Sequence, residues 1–136
     1  MTANALPDLR RVAYGLVLAQ LILTVAVALV SLALWSRNAA LSAAIGGGIG
    51  VAANLVLALV AFRKGGRTLA QMVSAFYVGE AAKFGVTIVL FVVVLATLKG
   101  KLVPGALFGA FVGTFLVHWL VLPRAMRRLD AASRVE

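Results

Sequence analysis

The run VAYGLVLAQLILTVAVALVSLALW, from Val12 to Trp35, carries no charge over 24 residues. A bilayer core about 30 Å thick needs about 20 residues of α-helix, at about 1.5 Å per residue. In hydrocarbon the backbone must satisfy its own hydrogen bonds, so a run of this length predicts a spanning helix. Alternating apolar and polar positions are absent, which argues against a membrane barrel.

Working outward, three more runs follow: Ala39 to Phe62, one ending at Leu98, and Leu102 to Leu122. The 136 residues are 63% hydrophobic and 12% charged. That is roughly 86 apolar residues, about four spans' worth. A soluble domain is about a quarter charged, so a water-soluble globule is excluded. The reading is an all-α membrane protein with one four-helix domain over 1–136. Its spans lie at about 12–35, 39–62, 74–98 and 102–122, followed by a basic tail over 123–136.

The short connections Ser36-Arg37-Asn38 and Lys99-Gly100-Lys101 predict two antiparallel hairpins. A longer basic segment beginning Arg63-Lys64-Gly65-Gly66-Arg67 joins them. Arg10-Arg11 ahead of the first run resembles the start of a signal peptide. The run exceeds the about 7–15 residues of such a segment, so a retained span is expected.

Thirteen Lys+Arg against four Asp+Glu give a net charge of +9. The basic residues flank apolar runs, which points to topology and anionic lipid rather than nucleic acid. Arg10, Arg11, Arg63, Lys64, Arg67, Arg124, Arg127, Arg128 and Arg134 fall on one side; Arg37, Lys99 and Lys101 fall on the other. The bias predicts both termini in the cytoplasm.

Glu80 is the one acid in or near a span, and Lys83 follows three residues later. Phe76, Glu80, Lys83 and Thr87 follow helical spacing, so the pair can meet on one face. An acid inside a membrane is costly, and its default meaning is function. Three readings stand: mutual neutralisation with Lys83 snorkelling, an interfacial helix over 67–83, or a docking or ion-contact site.

Glycines form a second feature. Gly46, Gly47 and Gly50 lie in the second run; Gly105, Gly109 and Gly113 form one row in the fourth. Small residues at this spacing let membrane helices approach closely, within the chain or against a partner. Asn54, the weakly polar face Gln20, Thr24 and Ser31, and the pair Thr114 and His118 each offer interhelical hydrogen bonds. Zero cysteines exclude disulfides and thiolate chemistry. No nucleophile–base arrangement, phosphate loop or metal-ligand cluster is legible, so neither an enzyme nor a cofactor is expected.

The stretch Ser74-Ala75-Phe76-Tyr77-Val78-Gly79-Glu80-Ala81-Ala82-Lys83-Phe84 resembles the signature of the ATP synthase subunit I family. That family's third helix carries an aromatic stretch, then Gly-Glu-x-x-Lys, then an apolar run; Gly79, Glu80 and Lys83 match. Gly46-Gly47 and Asn54 fit the family's second helix, where Ala53 replaces a proline. The resemblance implies a multi-pass bacterial inner-membrane protein that assists assembly of the rotor (c) ring. It makes rotor subunits and anionic lipids the expected partners and Phe76, Asn54, Gly79, Glu80 and Lys83 the expected contact residues. A magnesium transporter or channel, formed by a homo-oligomer around Glu80, is the alternative.

Overall fold

The computed structural model describes residues 5–63 and 68–133. Four helices follow in order: α1 (Ala5–Leu34), α2 (Arg37–Ala61), α3 (Leu69–Thr97) and α4 (Pro104–Ser133). All four are long and apolar enough to cross a membrane. Their outer faces carry Leu18, Ile22, Leu29, Ile88, Val89 and Val92, each more than half exposed. Exposed apolar surface on this scale needs a lipid solvent. Trp35 and Trp119, also exposed, lie near the ends of α1 and of the fourth span, where amphipathic rings favour the membrane interface.

Helix α2 is the hub, packing against α1, α3 and α4, while α1 also meets α4. Its buried positions Ala39, Ala43, Gly46, Gly50, Ala53 and Leu57 recur every three or four residues. That spacing makes a stripe of mostly small side chains, thin enough to admit close neighbours. A Cβ on Gly46 would overlap the backbone carbonyl of Leu107 on α4. One on Gly47 would overlap the Thr24 side chain of α1, and one on Gly50 the Thr114 hydroxyl of α4.

The two halves of the chain are built differently. The backbones of α1 and α2 come together, but those of α3 and α4 nowhere approach within 8 Å among the described residues. Aromatic rings fill that space. Phe91 stacks on Phe108 at 5.3 Å between centroids and meets Phe111 edge-on at 4.9 Å. Phe111 continues to Phe115 at 5.3 Å. Ring contacts of this geometry are favourable and join the two helices where their backbones stand apart.

Helix ends are capped by local chemistry. Ser36 Oγ accepts from Ala39 N at 3.1 Å, so α2 begins at Arg37, inside the expected connection. Thr68 and Gln71 form a capping box that starts α3. From there α3 is one unbroken helix of 29 residues, so 69–83 is no separate interfacial segment. Gly100, at φ 79°, turns the chain between α3 and α4. Ser42 of α2 reaches across the bundle, its Oγ accepting from Val103 N at 2.8 Å. The tail expected from 123 onwards is helical as far as Ser133, because Arg, Ala, Met and Leu favour helix. Pro123 sits within α4, and next to it Arg124 Nη1 donates to the Leu120 carbonyl at 2.8 Å. Residues 64–67 of the basic connection, with Arg128's side chain and Arg134, lie outside what the structure describes.

Candidate functional site

The interior polar groups form one bridge. Gln20 on α1 is fully buried. Its Nε2 donates to the Thr114 carbonyl of α4 at 2.9 Å. Its Oε1 accepts from Asn54 Nδ2 of α2 at 2.9 Å. The same residue's carbonyl accepts from Thr24 Oγ1 at 2.8 Å. Three helices are thus joined through a single amide side chain. Asn54, an expected contact residue, spends its amide donor inside the bundle.

Beside this bridge lies a pocket with a volume of about 160 Å³. Leu16 and Val17 of α1 and Leu57 and Ala58 of α2 form its apolar wall. Glu80 and Phe76 of α3 and His118 of α4 also face it. The pocket occupies the gap left because α1 and α3 do not approach each other. Two buried polar atoms on its lining residues have no hydrogen-bond partner: Asn54 Oδ1 and His118 Nδ1.

Glu80 and Lys83 do not pair. No ion pair joins them among the described residues; Lys83, 7% exposed, places its ammonium 5.1 Å from the centre of the Phe115 ring. Three residues along a helix turn the side chain by about 60° from full register. That angle is enough to aim Glu80 at the α1–α2 side and Lys83 at the α4 side. Thr87 Oγ1 donates to the Lys83 carbonyl at 2.8 Å, so the fourth member of the stripe serves the helix itself.

The remaining expected residues separate by face. Gly79 is buried, and a Cβ there would stand 2.8 Å from Leu57 Cδ1, so it fits α3 against α2. Gly113 lies near Leu23 of α1, whereas Gly105 and Gly109, expected in the same packing row, face open space within the chain. The sequence carries no local motif for the Phe91 contacts with α4 or for the Ser42 cap, because each joins residues on different helices. Among the described residues no group of three His, Cys, Asp or Glu could hold a metal ion.

Fold and site define a small polytopic membrane protein whose helices are joined by close small-residue packing and a buried amide bridge. Residues 15–112 match the sequence profile of the family described as ATP synthase I chain. The chain is 39% identical over 133 residues to ATP synthase protein I of Pseudomonas putida, covering 95% of this chain and 96% of that one. It is 37% identical over 108 residues to ATP synthase protein I of Pseudomonas aeruginosa, covering 79% and 85%. It is 49% identical over 65 residues to ATP synthase protein I of Vibrio cholerae, covering 47% and 50%. No solved structure was found to match. The chain belongs to the ATP synthase I chain family.

Proposed function

We propose that this chain is a non-catalytic accessory protein of the bacterial inner membrane that assists assembly of the F-type ATP synthase rotor ring. Membership of the ATP synthase I chain family carries the reading. The structure supplies a means compatible with it. Phe76, about half exposed, and the half-buried Glu80 sit where α1 and α3 part, open to an approaching helix. Gly105 and Gly109 give α4 an open small-residue face. A rotor subunit is a glycine-rich hairpin, and two small-residue faces approach closely in lipid. The basic side of the bundle faces the cytoplasm in this reading and meets anionic head groups.

The test is co-purification of rotor subunits with the tagged chain from membranes, together with the yield of assembled ring when the chain is deleted. Rotor subunits in the eluate, reduced by Phe76→Ala or Glu80→Ala and unchanged by the lipid-facing Val92→Ala, are expected. Gly79→Leu is a poor probe, since it would strike Leu57 within the chain. Absence of rotor subunits from the eluate and unchanged ring yield in the deletion strain would reject the role.

A further inference from the structure

Lys83 stands at the centre of the 28-residue span Ala70–Thr97, with thirteen residues before it and fourteen after. A cation at that depth is costly, and charged residues so placed ordinarily pair. Among the described residues the Lys83 ammonium makes no hydrogen bond or ion pair, and its one contact is the Phe115 ring of α4. The side chain is 7% exposed, yet its nitrogen is not sealed in. The enclosed polar side-chain atoms without a partner among the described residues are Asn54 Oδ1 and His118 Nδ1. The ammonium therefore reaches the outside at the seam of α3 and α4, where the two backbones stand apart. Phe84 and Leu116, next in sequence to Lys83 and Phe115, are each 58% exposed, so this seam opens to lipid.

Three sources of an anion can be compared. Lipid phosphate is too distant. Half of a core about 30 Å thick separates the centre from either head-group layer, and snorkelling serves lysines near helix ends. A second copy of this chain offers only Glu80 at such depth, since Asp8, Asp130 and Glu136 fall outside all four spans. Glu80 faces the pocket on the α1–α2 side of α3, so two copies pairing like surfaces through the seam would leave it turned away. A carboxylate on the membrane helix of a different protein has both the charge and the depth.

We propose that Lys83 pairs at mid-membrane with an aspartate or glutamate of a partner's spanning helix, seated along the α3–α4 seam. With water excluded, an ammonium–carboxylate pair outweighs a cation over a ring, so the ammonium leaves Phe115 for the carboxylate. The pairing rests on the docking reading above and names the chemistry of one contact within it.

The tagged full chain is treated in its own membranes with a hydrophobic carbodiimide. The reagent activates a carboxylate; attack by the Lys83 amine expels the urea and leaves an amide. Mass spectrometry should find Lys83 joined to an Asp or Glu inside a spanning segment of a second protein, the rotor subunit on the assembly reading. Without the reagent, recovery of that protein should fall at least about tenfold in Lys83→Met and be largely kept in Lys83→Arg, which retains the charge. Lys83 joined only to Glu80, of its own or a second copy, or to no other chain, would overturn the pairing. Equal recovery with Lys83→Met would also overturn it, while leaving the assembly role standing. If rotor subunits are absent from the unaltered chain's eluate, the assembly role fails and the cross-link alone decides the pairing. The cross-link uses the unaltered chain, so a variant that fails to insert does not block the decision.

Discussion

Asn54 and Gln20 are joined by a 2.9 Å hydrogen bond, and through Gln20 the second helix is tied to the backbone of the fourth. Both partners are buried, so the bond has no competing water on the Gln20 side. Replacing Gln20 with Leu removes two interhelical bonds and strips Asn54 of its acceptor. Interhelical bonds in membranes average about 0.6 kcal/mol and reach about 1.7 kcal/mol. Gln20→Leu should therefore lower stability by about 1–3 kcal/mol. A double-mutant cycle with Asn54→Leu, read by reversible unfolding in mixed micelles, should return a coupling of about 0.6–1.7 kcal/mol. A coupling of zero would mean the two amides do not meet.

Ser42 supplies a cap to a helix 61 residues away, its hydroxyl accepting from Val103 N while donating to the Asn38 carbonyl. Ser42→Ala should cost about 0.5–2 kcal/mol, the usual range for a lost N-cap. The effect should be local. Hydrogen exchange at the amides of 103–107 should accelerate, with exchange in the middle of α1 unchanged.

Span positions were legible because lipid demands long uncharged runs, and Val12 to Trp35 satisfies that demand by composition alone. Helix rotation was not legible. In a soluble bundle the polar face marks the outside, but here both the packed and the lipid-facing sides are apolar. Hence Gly46 and Gly105 look alike in the sequence, though one lies against Leu107 and the other meets nothing. The Glu80–Lys83 spacing suffered from the same blindness. Sharing a helix face at i and i+3 permits contact, yet α3 sits where that face is divided between the pocket and the Phe115 ring. Asn54 stands out in the sequence as a polar residue at membrane depth, but its partner is set by the crossing of α1 and α2. Only the three-dimensional register determines that.

Lys83 rests on Phe115 without an anionic partner among the described residues. A cation over a ring is worth about 0.5–2 kcal/mol, more where water is excluded. Phe115→Leu should therefore destabilise by more than its lost apolar area, and the excess should vanish when Lys83 is already Met. Lys83→Met alone should leave stability unchanged or raised, since it removes a buried charge and keeps the length of the side chain. Thermal unfolding of the four variants in detergent checks both statements. A marked loss on Lys83→Met would show that the ammonium meets an anion, from lipid or partner.

The glycines separate internal packing from external docking. Gly46→Ala places a methyl on the Leu107 backbone, which cannot turn aside as a side chain would. The expected loss is about 1–3 kcal/mol, the range for overpacking. Gly48→Ala, with nothing within 4 Å of the new atom, should be neutral or stabilising by up to about 1 kcal/mol through helix propensity. Gly105→Ala and Gly109→Ala should likewise leave the isolated chain's unfolding untouched, because their faces are open. If α4 receives a rotor hairpin, the bulkier Gly105→Leu and Gly109→Leu should keep that stability yet lose the co-purifying subunit. Retained stability with retained binding would exclude this face of α4 and move the docking surface to Phe76 and Glu80.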